Sequence, residues 1–168
     1  MDGPADEVRL HDGSVVEVDV MRSTDADRLV RFHETLSWDT TYLRFFSPHR
    51  ELTAKEVELF THVDHIGREA LVVTFEGEIV AVGRFDRLTD PSRAEVAFAV
   101  SDPWQGRGVG RLLFERLEQR AHCLGVTHFV AETLSQNRRM LGLFHRVDHP
   151  VVSTASHGVV HLEIDLAS

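Results

Sequence analysis

The chain has 168 residues, of which 42% are hydrophobic and 27% charged, a composition typical of one globular domain. Its 27 acidic and 18 basic side chains give a formal net charge of -9, which argues against nucleic-acid binding through bulk charge. The single cysteine, Cys123, excludes an intrachain disulfide and a cysteine metal cluster.

The same properties constrain location and partners. The acidic start MDGPADEVRL lacks the apolar core of a secretory signal, and no apolar run approaches the roughly 18 residues of a membrane span. We therefore expect a cytoplasmic protein without a membrane or nucleic-acid partner. The acidic charge favours a basic partner, such as a lysine-bearing protein surface, although many soluble proteins are acidic for solubility alone.

The pattern of apolar residues predicts a mixed α/β domain, with helices covering the faces of one sheet. After a loose lead-in over residues 1–13, a single domain is expected over residues 14–168. Its elements are, in chain order, a strand at 15–21, helices at 23–36, 38–46 and 52–64, a hairpin around Gly77, a strand at 95–100, a helix from Val109 that ends at Gly125, a strand at 127–134, a helix at 137–147 and a strand at 158–166, with a short strand near Val151 as an option.

Three glycines, Gly106, Gly108 and Gly110, stand where the long helix begins. Helix N-termini expose unpaired N–H groups, and glycines let those groups approach a ligand closely, so this segment suits a phosphate. A dinucleotide-binding loop is excluded, because Arg111 occupies the place of its third glycine. A Walker P-loop is excluded too, because the segment lacks G-K-S/T before the helix.

The spacing that does match is Q-x-x-G-x-G, formed by Gln105, Gly108 and Gly110. With the strand before it, the amphipathic helix after it and SQNRRM beyond the next strand, this segment resembles motif A of the GNAT acetyltransferase superfamily. The resemblance implies an acetyl-CoA-dependent N-acetyltransferase with a mostly antiparallel sheet, splayed at the cofactor site. The structural alternative is an ordinary strand-to-helix turn that happens to contain glycines.

Five segments narrow this resemblance: YLRFFSP, ELTAKEVELFTHVDH, AEVAFAV, QGRGVG and AETLSQNRRML. Together they are similar to the bacterial Pat-type protein lysine acetyltransferases, over almost all of residues 14–166. The resemblance implies a protein lysine acceptor, with acyl-CoA synthetases as targets, and direct transfer in a ternary complex. In that family the catalytic domain is often joined to a regulatory module, so a fused or separate regulatory domain is an expected partner.

Glu95 is the candidate general base. A lysine amine is protonated at neutral pH, so acetyl transfer needs a group that removes a proton. Glu95 matches the glutamate of AEVAF that has this role in Pat-like enzymes, and strand alternation places it beside the small side chains of Ala97 and Ala99. The alternative is a solvated carboxylate on an edge strand. Glu132 is a possible second carboxylate, for which a structural hydrogen-bonding role is favoured.

The remaining site residues follow from the resemblance. The strand before the glycines would offer backbone groups to the pantetheine arm, and the glycine loop would hold the pyrophosphate. An asparagine at the start of the next helix would meet the pantetheine arm, although it also suits a helix N-cap. The predicted cofactor-binding residues are Phe98, Ala99, Val100, Gln105, Gly106, Arg107, Gly108, Val109, Gly110, Arg111 and Asn137. No metal is expected, because the histidines lack a metalloprotease spacing.

Two positions depart from the family pattern. Many GNAT enzymes have a tyrosine seven residues after the asparagine, as general acid for the thiolate, but this chain has Phe144. We therefore predict no tyrosine general acid. In HRVDHPV, Asp148 and His149 replace the glycine and aromatic residue that the family usually has there.

Two other functions stay open at this stage. A GNAT enzyme could act on a small amine or an antibiotic, because acceptor loops vary most in this superfamily. A non-catalytic domain could instead sense acetyl-CoA and regulate a partner. The presence of Glu95 and of the complete Gln105–Gly110 segment argues against the second alternative.

Overall fold

The computed structural model describes residues 4–47, 49 and 51–168. Its eight strands form one sheet in the order β1-β2-β3-β4-β5-β6-β8-β7, in which β5 and β6 are parallel and every other pair is antiparallel. The strands are β1 (Asp6–Arg9), β2 (Val15–Val20), β3 (Arg68–Phe75), β4 (Glu78–Arg87), β5 (Arg93–Val100), β6 (His128–Leu134), β7 (Val151–Ser156) and β8 (Val159–Asp165). This arrangement confirms the predicted mixed, mostly antiparallel sheet.

Five helices accompany the sheet in the described part of the chain, and short 3₁₀ turns at Ser23–Asp25 and Asp102–Trp104 precede two of them. The helices are α1 (Ala26–Glu34), α2 (Trp38–Phe45), α3 (Ala54–Thr61), α4 (Val109–Cys123) and α5 (Arg138–His145). The spacing of Thr53 and Glu56 in the sequence predicts a capping box at the start of α3. The structure confirms it, since the Thr53 hydroxyl accepts from the Glu56 N–H at 3.1 Å and the Glu56 carboxylate accepts from the Thr53 N–H at 3.0 Å. No helix among the described residues is long and apolar enough to cross a membrane.

The start of the chain differs from the expected loose lead-in over residues 1–13. Residues 1–3 lie outside the described part, but Asp6–Arg9 form β1, which pairs with β2 along its whole length. A short turn closed by the bond from the Gly13 N–H to the Leu10 carbonyl joins the two strands. The sequence did not predict β1 because its single buried-face residue, Val8, gives too weak an alternation.

The sheet separates two apolar cores. On one face α4 and α5 pack on the sheet, and Phe98, Phe114 and Phe144 meet there with ring centroids 6.1 to 6.4 Å apart. On the other face a smaller cluster containing Leu29 and Phe32 of α1 packs against β3 and β4. Because β5 alternates between these faces, burying Val96 and Phe98 under α4 turns Glu95, Ala97 and Ala99 toward the helices α1 to α3.

Candidate active site

A cleft opens where β5 and β6 separate. Their parallel pairing covers only Arg93 to Glu95 of β5, so the strands diverge after Glu95. The cavity that results has a volume of about 860 Å³ and continues past the start of α4 to α5. We call the part next to the glycine loop and α5 the cofactor half, and the part next to Glu95 and α2 the acceptor half.

The glycine loop has the geometry that its sequence predicts. Gly106 and Gly108 have φ values of 74° and 85°, which side chains with a Cβ rarely adopt. Gly108 is the N-cap of α4 and, having no side chain, supplies no capping hydrogen bond. The first bond of the helix runs from the Leu112 N–H to the Gly108 carbonyl, so the N–H groups of the preceding helical residues are left for an anion.

The Gln105 side chain connects this loop to β5 and α2. Its side-chain amide donates to the Val100 carbonyl at 3.0 Å and to the Thr40 hydroxyl at 3.3 Å. These bonds join the end of β5, the glycine loop and α2. The Gln105 side chain therefore fixes the loop, while its position on the cleft wall keeps the residue near the predicted pyrophosphate.

Arg107 has its side chain turned toward the N-terminal hairpin. The guanidinium bonds the Asp12 carboxylate and the Ser14 hydroxyl, both at 2.6 Å, and lies 4.0 Å from the centre of the Trp104 ring. Hydrogen bonds from the Ser14 N–H and hydroxyl, and then from Arg107, lower the pKa of Asp12 to about 2. The Arg107 side chain thus fastens the loop to the hairpin, and its predicted contact with the pyrophosphate would come from the backbone.

The cofactor half carries a cluster of arginines that the sequence analysis largely missed. Besides the predicted Arg111, the side chains that line the cleft include Arg138, Arg139 and Arg146. The Arg139 guanidinium lies beside Gly106, since a Cβ built on that glycine would be 3.5 Å from Arg139 Nη1. The two consecutive arginines of SQNRRM were the available signal. A chain of net charge -9 therefore concentrates positive charge at the place predicted for the cofactor phosphates.

Asn137 combines the two roles that the sequence left open. Its side-chain oxygen accepts from the Met140 N–H at 3.2 Å and so caps α5. Asn137 also lines the cleft, together with Phe98, Ala99 and Val100 of β5. Beyond Glu95 the edge of β5 that faces β6 lacks strand pairing among the described residues, so its backbone groups, apart from the Val100 carbonyl that Gln105 bonds, are left for the predicted contacts with the pantetheine arm.

Glu95 is the last residue of β5 that pairs with β6, and it lines the cleft and is exposed. Directly opposite it on β4 is Asp86, a cross-strand neighbour on the same face of the sheet. Arg68 donates to Asp86 at 2.8 Å, and the cation of Arg44 on α2 interacts electrostatically with Glu95 and Asp86. The sequence analysis missed Asp86 and Arg44, because strand register and helix docking bring them to Glu95.

The positions that depart from the family pattern also line the cleft. Phe144 is buried in the aromatic cluster and brings no hydroxyl group. His149 bonds Glu118 of α4 through Nε2 at 2.6 Å, which ties the segment after α5 to the long helix. Glu132 lies on the cleft wall of β6, and its carboxylate is 3.6 Å from His161 of β8.

The cofactor half fits acetyl-CoA, the acetyl donor of the GNAT family. Unbonded helix N–H groups and arginines suit its phosphates, and the unpaired edge of β5 suits the amides of its pantetheine arm. Among the residues described, no group of three or more histidine, cysteine, aspartate and glutamate side chains is placed to hold a metal ion.

Comparisons with known proteins agree with this geometry. Residues 30–148 match the acetyltransferase (GNAT) family. The chain therefore belongs to the GNAT family and is an N-acetyltransferase by family. It is 34% identical to acetyltransferase Pat of Mycolicibacterium smegmatis over 145 residues, which are 84% of this chain and 43% of that protein. The chain thus spans less than half the length of that relative.

Solved structures give the same result. The GNAT domain of S. lividans PAT is 38% identical to this chain and superposes with a TM-score of 0.90. The match covers 96% of each of the two chains. The structure of yncA from Salmonella typhimurium with its cofactor acetyl-CoA shares the fold, with 18% identity, a TM-score of 0.73, and coverage of 91% of this chain and 95% of that one. These comparisons confirm the predicted GNAT family and the predicted similarity to Pat-type acetyltransferases.

Proposed function

We propose that the protein is a protein lysine Nε-acetyltransferase that uses acetyl-CoA and acts on acyl-CoA synthetases. The observation that carries this proposal is the position of Glu95, an exposed carboxylate where β5 and β6 separate, between the two halves of the cleft. Similarity to the Pat-type relatives supports the protein acceptor.

In this mechanism Glu95 accepts the proton of the lysine ammonium, directly or through one water. Acetyl-CoA supplies an activated thioester, so that the amine nitrogen forms the new bond to the acetyl carbon as the carbon–sulfur bond breaks. Both substrates occupy the cleft together, because the acceptor half and the cofactor half meet at Glu95. The chain's part is to orient the two substrates and to hold the released proton at a Glu95 carboxylate oxygen.

Phe144 has no proton to give to the thiolate. In this proposal backbone N–H groups stabilise the leaving sulfur, and solvent water carries the second nitrogen proton, released as the amide forms, to the thiolate. Asp86 lies opposite Glu95 on the same face of the sheet, and its carboxylate bonds Arg68.

The test is the release of free thiol from acetyl-CoA, with and without an acetyl-CoA synthetase as acceptor. We expect acceptor-dependent release, and we expect Glu95→Gln to lower kcat by about 10²- to 10⁴-fold, the usual contribution of a general base. Calorimetry should show that Glu95→Gln still binds acetyl-CoA. Glu132→Gln, which alters the other acidic side chain of the strand pair, should change kcat less than about threefold.

Three results would redirect the proposal. Full activity of Glu95→Gln would remove Glu95 as the base. Release with small amines but not with the synthetase would favour the small-amine enzyme. Binding of acetyl-CoA without release for any acceptor tested would favour the sensor.

A further inference from the structure

A second, smaller cavity adjoins the acceptor half of the cleft. It has a volume of about 40 Å³ and lies between the sheet and the helices α1 to α3. Arg44, Phe45, Ala97 and Ala99 line both cavities and so form the wall between them. We call this smaller cavity the side pocket.

Arg84 of β4 lies in the side pocket and is only 6% exposed. Its Nη2 atom is buried and has no hydrogen-bond partner among the described residues. The guanidinium lies 4.6 Å from the centre of the Phe60 ring, and this cation–π contact offsets only part of the cost of removing a cation from water. Burial is also the main reason why the pKa of Arg84 is lowered to about 10.

A second guanidinium further destabilises the buried Arg84 cation. Arg44 lines the same pocket, and its charge disfavours the charged form of Arg84, as does that of Arg68. Within the described chain the Arg44 guanidinium makes no hydrogen bond or ion pair, and it packs over Phe45 at 4.9 Å from the ring centre. Asp86 is the acidic group that favours the Arg84 cation, but its carboxylate bonds Arg68. Glu95 and Asp86 also attract the Arg44 cation, but no described residue that lines the side pocket is acidic, so the pocket itself holds more positive than negative charge.

The rest of the lining limits what could balance that charge. Most of the lining side chains are apolar, among them Leu29, Phe32 and Val82. A large hydrated anion such as a phosphate ester does not suit so small and apolar a space. A carboxylate on a short carbon chain does, because its two oxygens match the planar fork of a guanidinium and its carbons match the walls.

We propose that the side pocket is a carboxylate-binding site, in which Arg84 and Arg44 hold a carboxylate next to the acetyl-acceptor position. Carboxylate binding in this pocket does not depend on the proposed function, whereas its position next to the acetyl acceptor rests on that function. The carboxylate has two possible sources: an acidic side chain of the acceptor protein near its target lysine, or a free short-chain carboxylic acid.

The first experiment measures binding without catalysis. The midpoint of thermal unfolding is followed against sodium acetate, with sodium chloride at equal ionic strength and neutral acetamide as comparisons. We expect a saturable rise with acetate only, because a carboxylate that binds the folded state stabilises it. Arg84→Met keeps an unbranched apolar stem but removes the guanidinium, and it should weaken acetate binding about tenfold or more.

Arg31→Met is the matched control, since Arg31 is an exposed arginine paired with Glu78 on the surface. It should respond to acetate like the wild type. Without acetate, Arg84→Met should unfold at a higher temperature than the wild type, because it removes a buried charge that lacks a partner. Arg84 does not line the main cleft, so acetyl-CoA binding by this variant shows that it has folded.

Two results would overturn the proposal: an acetate response that Arg84→Met retains, or an equal response to chloride and acetate. If Arg84→Met does not fold, the backbone amide signals of Arg84 and Ala97 in wild-type NMR spectra show whether acetate binds in the side pocket. Acetate should shift these signals saturably, and acetamide should not. Unchanged signals at saturating acetate would contradict the site.

A second arm identifies the source of the carboxylate. Lysine peptides that differ only by glutamate or glutamine near the lysine are compared as acceptors. If the acceptor supplies the carboxylate, the glutamate peptide has the higher kcat/KM, acetate competes with it, and Arg84→Met removes the preference. If a free acid is the source, the two peptides are equal and acetate still binds. Failure of all acetyl transfer would count against the proposed function, while acetate binding would still test the pocket.

Discussion

In the cofactor half of the cleft, main-chain groups of the glycine loop and of β5 face the ligand space beside the arginine cluster, whereas in the acceptor half only side chains, of both charges, do so. Gly106 and Gly108 shape a loop whose N–H groups are predicted to bind the cofactor phosphates, and the Gln105 and Arg107 side chains bond other parts of the protein. In the acceptor half, Glu95 and Arg44 project from different elements into the same space.

This difference explains what each half can recognise. A helix N-terminus and a row of backbone groups suit the phosphates and amides of one constant donor. Side chains from β4, β5 and α2 can change one at a time without disturbing the loop, so the acceptor half is free to vary between relatives. Substitutions in the two halves should therefore separate donor binding from acceptor selection.

The largest effect on donor binding is expected from Gly108→Ala. At a φ of 85° a Cβ costs about 1–2 kcal/mol, and relaxing that strain moves the N-terminus of α4 away from the cradle geometry. We expect acetyl-CoA binding, measured by calorimetry, to weaken about tenfold or more.

Gly125→Ala is the matched control for this substitution. Gly125 ends α4 with a φ of 78°, and a Cβ there, as at Gly108, would meet nothing within 4 Å. It should lower the free energy of unfolding by a similar amount and leave acetyl-CoA affinity unchanged. Equal losses of affinity in both variants would show that strain alone, not the cradle, controls binding.

A smaller effect is expected from Arg139→Gln, which removes one charge from the arginine cluster. Because this arginine is exposed, we expect acetyl-CoA affinity to fall about two- to fivefold. The loss should shrink as salt rises from about 0.05 to 0.5 M, since salt screens exposed charges. Arg107→Gln should lower the acetyl-CoA affinity less, because the Arg107 side chain bonds Asp12 and Ser14. A larger loss in Arg107→Gln than in Arg139→Gln would mean that Arg107 turns to the phosphates on binding.

Phe144→Tyr should change turnover by less than about twofold, because water and backbone N–H groups are proposed to serve the thiolate. It should lower the free energy of unfolding by about 1–3 kcal/mol if the new hydroxyl finds no partner in the aromatic cluster. Phe129→Tyr, at a fully buried position outside the cleft, is the stability control. A strong rise in kcat for Phe144→Tyr would show that protonation of the thiolate limits the rate.

The smallest effect concerns Asp12, whose pKa is lowered to about 2 from 3.8. A lowered carboxyl pKa stabilises the folded state above the unfolded value, and this stabilisation is lost as the pH falls from about 4 through 2. NMR titration of the Asp12 carboxyl carbon should give a midpoint near 2. Arg107→Gln should raise that midpoint only in part, because Ser14 supplies the larger share of the shift. An unchanged midpoint would contradict the Arg107 contact.

The sequence predicted the fold well where the determining interactions are local. The capping box of α3, the glycine loop and the turn at Glu76 and Gly77 each depend on residues a few positions apart, and all three are present. The sequence did not predict β1, which forms a strand through its pairing with the edge of β2. Cytoplasmic location, the physiological acceptor and the role of each site residue stay predictions.

By itself, then, the sequence determined most of the order of the elements after β1, the glycine loop and the family, because these depend on patterns of neighbouring residues. Only the tertiary structure placed Asp86 opposite Glu95, turned Arg107 toward Asp12, and enclosed Arg84 without a hydrogen-bond partner for Nη2 in the described chain. Those placements depend on strand register and on helices packing across the sheet. Such contacts join residues far apart in sequence, and no local pattern records them.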